Sequence, residues 1–297
     1  MRRMAMDDIL TAAVVNFHPV SGEKERNLSR IEGFARAGAR RGAELILFPE
    51  LCLMGYDYYL DPEIPRAEKL DSAEHMGSPA AGRLSALARE MGIYLICGAA
   101  ERRGEALYNS AFLFGPEGKV ETYQKIHPYG EENRFFQKGD TPVLIDTPWG
   151  PVGIGICYDS YQFPELMRYE VSRGARLYLN PTAEVEEIAY EGSRESFYRY
   201  YRRNLEYGAA SNGIFIASAN LTGWDRGSYF AGGSMILGPK LSPFAELDVH
   251  CYAGGAEDAQ EGLALATLDL SLAARMLVRE NPGGGMDYRP EVYKTFY

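Results

Sequence analysis

Three residues of chemically active type stand at the ends of apolar stretches in this chain of 297 residues. Glu50 follows Leu45-Ile46-Leu47-Phe48-Pro49, Lys125 follows Val120–Gln124, and Cys157 follows Val152–Ile156. Charged groups are costly to bury without partners, and in open α/β sheets functional groups collect at strand ends. A thiol, a carboxylate and an ammonium group together suit nucleophilic acyl chemistry. A thiol near its free pKa of about 8.5 is mostly protonated at neutral pH, so Cys157 needs a base beside it. Glu50 fits that role and can hand the proton on to a departing amine. Lys125 supplies a fixed positive charge near a developing oxyanion, with the Tyr158 backbone N–H as a second donor. Taken singly, each residue has a plainer reading: a solvated loop acid, a surface lysine, a small buried hydrophobe.

The elements that must position these groups follow from hydrophobic periodicity. Ile9–Asn16, Leu45–Phe48, Tyr94–Ala100, Leu107–Phe114 and Val120–Gln124 read as strands in the N-terminal half. Glu23–Arg41 and Ala80–Met91 have helical spacing. The second half continues with strands at Val152–Ile156, Arg176–Leu179, Ile214–Ala219, Ser234–Leu237 and Ala264–Leu268. Helices are expected at Phe163–Ser172, Glu195–Ser211 and Leu272–Val278. No linker, repeat or low-complexity segment divides the chain, so a single α/β domain over residues 1–297 is expected.

Bulk properties narrow the partners. The formal net charge of −10 argues against general affinity for nucleic-acid phosphates or anionic membranes. No apolar run approaches the ~20 residues of a spanning helix, and Met1–Leu10, with Asp7 and Asp8, lacks a signal-peptide core. The four cysteines are scattered without a CxxC pair, which fits a reducing, cytoplasmic setting. The four histidines lie far apart with no HxH or HExxH spacing, so no metal site is expected. Gly153-Ile154-Gly155 lacks the third glycine of a dinucleotide fingerprint, and no GxxxxGK[ST] phosphate loop occurs.

The surroundings of the three residues are more specific than the residues themselves. Phe48-Pro49-Glu50-Leu51-Cys52-Leu53-Met54-Gly55-Tyr56 resembles the segment around the catalytic glutamate of the nitrilase superfamily. Tyr123-Gln124-Lys125-Ile126-His127 is similar to its lysine segment, and Gly155-Ile156-Cys157-Tyr158-Asp159 with Phe163-Pro164-Glu165-Leu166 to its nucleophile elbow. Glu132 to Asp140, Phe230 to Pro239 and Asp287 to Tyr293 resemble later landmarks of the family, in its order. The resemblance implies a four-layer α-β-β-α sandwich, no cofactor or metal, and assembly through a helical face into a homodimer or larger homo-oligomer. It implies hydrolysis of a small amide or N-carbamoyl compound through a Cys157 thioester, releasing ammonia or an amine. A fourth residue is implied as well: Glu132 by its distance from Gly139-Asp140, with Glu131 as the fallback. Tyr56, Tyr158, Asn180 and Arg194 are implied at the substrate.

The chain departs from the family pattern in two places. Ser160-Tyr161-Gln162 adds a residue between Cys-Tyr-Asp and Phe-Pro-Glu, and Gly208-Ala209-Ala210-Ser211-Asn212 replaces an Arg-Ala-x-Glu-Asn pattern. Between Ala183 and Arg203, tyrosines and arginines alternate closely; they fit a carboxylate-binding lining or an amphipathic helix packed in the core or an interface. Cys157-Tyr158-Asp159 is closer to the amidase and carbamoylase branches than to true nitrilases, which place Trp-Glu after the cysteine. The alternatives are a nitrile hydrolase with the same triad and a non-catalytic or partner-dependent binding protein on the same fold.

Overall fold

The computed structural model describes residues 6–186, 193–240, 247–253, 260–275, 278–286 and 288–294, without the side chains of 193–195 and 198. In β1 (Ile9–Asn16) alternate residues face opposite ways, as the pleat requires. Leu10, Ala12 and Val14 point into one fully buried layer, Ala13 and Val15 into another. A strand buried on both faces must sit in the middle of a layered molecule, and the rest of the chain supplies the layers.

The first sheet holds β1, β2 (Leu45–Leu47), β3 (Tyr94–Arg103), β4 (Ala106–Phe114) and β5 (Val120–Gln124). It is closed on its other edge by the last strand, which pairs with β1 from Ile9↔Asp269 to Asn16↔Gly262. The second sheet holds β6 (Leu144–Ile145), β7 (Val152–Ile154), β8 (Leu177–Thr182) and β9 (Phe215–Asn220). A two-stranded ribbon follows, β10 (Thr222–Asp225) with β11 (Ser228–Ala231). The chain then returns to the second sheet as β12 (Ser234–Pro239) and β13 (Leu247–Ala253), before β14 (Gly262–Asp269) crosses back to the first. The resulting orders are β14-β1-β2-β3-β4-β5 and β13-β12-β9-β8-β7-β6.

Helices cover the outer faces. α1 (Lys24–Arg40) and, after the short α2 (Tyr56–Leu60) and α3 (Arg66–Ser72), α4 (Pro79–Met91) pack Leu28, Ile31, Leu84 and Leu87 on the first sheet. α4 starts as its sequence requires, with Ser78 accepting from the Ala81 N–H, Pro79 in the first turn and Gly92 left-handed at the end. After the short α5 (Tyr158–Gln162), α6 (Pro164–Ser172) and α7 (Ser193–Asn212) cover the second sheet through Met167, Val171, Tyr201 and Leu205. Leu45, Leu47, Leu177, Leu179 and Phe215 fill the space between the sheets. The arrangement is the expected α-β-β-α sandwich.

One expectation needs correction. The α-helix expected over Leu272–Val278 is not seen in its described residues: a 3-10 turn over Leu270–Leu272 gives way to irregular chain at 273–275, and 276–277 lie outside the described residues; the next α-helix among the described residues is α8 (Pro290–Tyr293). The short apolar run there packs Leu270 and Ala273 against the inter-sheet core without helical continuation. β6, β10, β11, β13 and the short α2, α3 and α5 were not legible, being too brief or too polar to show a period. No helix among the described residues is long and apolar enough to cross a membrane.

Candidate active site

Glu50 leaves the end of β2 where Gly98 of the neighbouring strand passes directly beneath. A Cβ on Gly98 would stand 2.2 Å from the Pro49 oxygen and 2.7 Å from the Glu50 Cα, so only glycine admits this approach. The carboxylate is fully buried. Its Oε1 accepts from Lys125 Nζ at 2.7 Å and from Asn109 Nδ2 at 2.6 Å, and its Oε2 from the Ala183 N–H at 2.8 Å. Burial pushes the Glu50 carboxyl above the ordinary range, opposed by Lys125 and reinforced by Glu132.

Lys125 follows β5 and is held at both backbone atoms: its N–H donates to the Asn109 carbonyl, and its carbonyl accepts from the Gly139 N–H, both at 2.8 Å. A Cβ on Gly139 would lie 2.2 Å from the Gln124 oxygen, which explains a glycine in that landmark. The ammonium, fully buried, lies between Glu50 and Glu132 Oε1, the latter at 2.9 Å. Burial disfavours its charge, but Glu132 and Glu50 outweigh that and raise its pKa well above the ordinary value. Tyr56 and Asn109 also donate to Glu132, at 2.7 and 3.3 Å. Glu131, next door, is exposed and pairs with Arg134 instead.

Cys157 caps α5 with φ 49° and ψ −105°, a conformation that costs a non-glycine residue strain of order 1–3 kcal/mol. The elbow is built by small residues before it. A Cβ on Gly155 would fall 1.9 Å from the Tyr178 hydroxyl, and one on Gly153 would fall 2.4 Å from Glu170 Oε2. The Cys157 N–H donates to the Pro181 carbonyl and to Asn180 Oδ1. The next N–H, that of Tyr158, is the first of a helix and has no intrahelical acceptor. Burial pushes the Cys157 thiol well above its usual range, Glu50 adds to the effect and Lys125 opposes it. The resting group is therefore a thiol, and a base must take its proton.

Asp159 ties this elbow to the lysine strand across the sheets. Its Oδ2 accepts from the Tyr123 hydroxyl and the Ile156 N–H, its Oδ1 from the His127 N–H and Nδ1. His127 in turn stacks on Phe163, centroid to centroid 3.5 Å.

An open cavity of about 540 Å³ lies over the sulfur. Tyr56, Tyr129, Tyr158, Tyr161, Glu184 and Tyr200 line much of it. Tyr56 and Tyr158, expected at the substrate, are both part of this lining. Asn180 is not: it is fully buried beneath Cys157, bonded to the Cys157 N–H, Ser160, Tyr161 and Ser218. It cannot reach the cavity, because its amide is consumed in holding the elbow. Arg194 belongs to α7, but its side chain lies outside the described residues. The residue added after Asp159 is absorbed by α5: Ser160 bonds Asn180, Tyr161 bonds Thr182 and Gln162 bonds Tyr200. Gly208, where the family pattern has changed, lets α7 approach Met167 of α6; a Cβ there would meet its Cε at 3.0 Å.

Two groups were missed. Asn109 was readable as an uncharged polar residue inside the apolar run Leu107–Phe114. Glu184 gave no local signal; the structure brings its Oε2 to 3.7 Å from the Cys157 sulfur.

A cysteine on a strained strand–helix elbow, facing a buried acid–lysine–acid cluster between two sheets, defines a class of thiol hydrolases working on carbonyl-type carbon. The chain belongs to the carbon-nitrogen hydrolase family of the nitrilase superfamily, whose model matches residues 11–276. It is 29% identical over 287 residues to a nitrilase of Pyrococcus abyssi, covering 96% of this chain and 99% of that one. It is 30% identical over 268 residues to the human omega-amidase NIT2, covering 86% and 88%. Among solved structures it superposes on an amidase from Nesterenkonia sp. with a TM-score of 0.76 at 26% identity, covering 99% of this chain and 98% of that one. A variant of that amidase carries the acetamide moiety of fluoroacetamide covalently on its active-site cysteine, and matches with a TM-score of 0.75.

Proposed function

We propose that this carbon–nitrogen hydrolase cleaves a small linear amide through a thioester on Cys157, with Glu50, Lys125 and Glu132 as the other members of its machinery. The observation that carries the reading is the buried cluster in which Lys125 Nζ lies 2.7 Å from Glu50 and 2.9 Å from Glu132. Such a cluster costs several kcal/mol per ion to desolvate, which a purely structural core has no need of. The relatives with amidase and omega-amidase activity support the amide over the nitrile.

Glu50 takes the proton from the Cys157 thiol as the sulfur attacks the carbonyl carbon. The carbonyl electrons move to oxygen, where Lys125 Nζ and the Tyr158 N–H stabilise the charge; removing one such donor costs about 10²–10³ in rate. Collapse of the tetrahedral species expels the amine, which receives the proton from Glu50. Water, deprotonated by Glu50, then attacks the thioester and the sulfur leaves, regaining its proton. Glu132, held by Tyr56 and Asn109, fixes the lysine and keeps it charged. Asn180 is a positioning residue for the elbow, and Tyr56 and Tyr158 contact substrate.

The same reading assigns one domain to residues 1–297, a cytoplasmic setting, and a homodimer or larger homo-oligomer formed through the outer helical face. The four free cysteines support the second, and the exposed Tyr169 of α6 and Tyr207 of α7 support the third. The test of the reaction is ammonia release from a panel of primary amides, N-carbamoyl compounds and nitriles, wild type against Cys157→Ala. Release abolished by the substitution is expected; release that survives it rules Cys157 out as nucleophile.

A further inference from the structure

The cavity has a charge pattern that restricts what can enter it. Its charged lining residues among those described are Glu131 and Glu184, both acids. Beneath it Lys125 lies between two carboxylates, Glu50 and Glu132, so the buried cluster carries more acid than base. Glu184 is different from these. It follows β8, its N–H donates to Asn220 Oδ1, and its carboxylate accepts from the Cys157 thiol at 3.7 Å; the cation that acts on it among the described residues is Lys125, which is already paired with Glu50 and Glu132. Burial pushes it up to about 7. An acid half-buried in a binding cavity, with no ion pair of its own among the described residues, favours a cation beside it.

Distance narrows where that counter-ion sits. A carbonyl carbon poised for attack lies about 3–3.5 Å from the sulfur. Glu184 Oε2 is 3.7 Å from the same sulfur, and a charge-assisted N–H···O contact spans about 2.8 Å. A nitrogen held by Glu184 is therefore close to the reacting carbon along the substrate chain. Tyr129, Tyr158, Tyr161 and Tyr200 surround the same space, and aromatic faces favour a cation over an anion. For a primary amide the leaving group is ammonia, so a further charge must be carried by the acyl group.

Resting on the amide-hydrolase reading, we propose that the substrate is a short amide bearing an ammonium group on its α- or β-carbon, with Glu184 as the residue that selects it. Glu184 holds the ammonium, the tyrosines enclose it, and the carbonyl is thereby set over the sulfur. An acyl chain ending in a carboxylate meets Glu184 and Glu131 without compensation from any described lining residue.

The test is a matched series of primary amides differing only in the terminal group: β-alaninamide, β-hydroxypropionamide, butyramide and succinamate, with glycinamide against propionamide for the α-position. Wild type is expected to show kcat/KM for β-alaninamide or glycinamide at least about tenfold above its methyl counterpart, the size of one charge-assisted bond, with succinamate lowest. Glu184→Gln keeps the shape and removes the charge, and should reduce the ammonium-to-methyl ratio about tenfold. That ratio is independent of how much folded enzyme a preparation contains. A ratio near one in wild type, a ratio unchanged in Glu184→Gln, or a preference for succinamate overturns the inference while leaving the hydrolase reading intact. If wild type releases no more ammonia than Cys157→Ala from every amide, the hydrolase reading fails and the inference falls with it.

Discussion

At the scale of single residues, the site is a problem of proton placement in a dry environment. Cys157 rests protonated because burial and Glu50 disfavour the thiolate. Glu50 must be ionised to relieve it, and burial holds the Glu50 carboxyl above the usual carboxylate range. With Glu50 as the proposed base the sign follows: lowering the pH protonates Glu50, removes the base and slows acylation. The acidic limb of kcat/KM is therefore expected above pH 4.5, the ordinary value for a glutamate, and to persist with butyramide in Glu184→Gln. A limb that disappears in that variant would assign the titration to Glu184 instead. Asn109 shows how little of such a site is stated locally. It bonds Glu50 across 59 positions of chain, and nothing in its neighbourhood marks it beyond being polar in an apolar strand.

At the scale of elements, close backbone approaches position the chemistry. Glycine is required wherever a strand end must pass under its neighbour, as Gly98 does beneath Glu50 and Gly155 beneath the elbow. Gly155→Ala forces its methyl group against the Tyr178 hydroxyl, and overpacking of this kind typically costs 1–3 kcal/mol. We expect a lowered melting temperature and a larger fall in kcat than rise in KM. Tyr178→Phe added to it removes the atom in collision and should restore part of both; a double variant no better than the single one would show that the elbow is not displaced by that contact. The strands and long helices were legible because their apolar residues recur with period 2 or 3.6 over many positions. The expectation of a helix from Leu272 fails over residues 272–275 because an apolar stretch that packs on the inter-sheet core needs no helix to do so.

At the scale of the whole molecule, α6 and α7 present an outer face that the sandwich leaves uncovered. Tyr207 is 63% exposed and Tyr169 44% exposed, a costly display for two large aromatics on adjacent helices. If this face joins two copies, light scattering will give twice the chain mass of 33.1 kDa, and Tyr207→Asp will shift the population towards the single chain. A single-chain mass for the wild type at micromolar concentration would remove the dimer.

The sequence by itself showed alternating strands and amphipathic helices, and its resemblance to the nitrilase superfamily implied the four layers they form. It also determined the three strand-end groups, whose flanking residues identify them. The tertiary structure decided which of two adjacent acids joins the lysine, because Glu132 turns inward on a 3-10 turn while Glu131 faces outward. It decided that Asn180 supports the elbow from below, and that Glu184 stands beside the sulfur. These were hidden for a physical reason. Periodicity reports how deeply a residue is buried, whereas partners are set by strands and loops meeting across long stretches of chain: 75 positions for Lys125 and Glu50, 27 for Glu184 and Cys157.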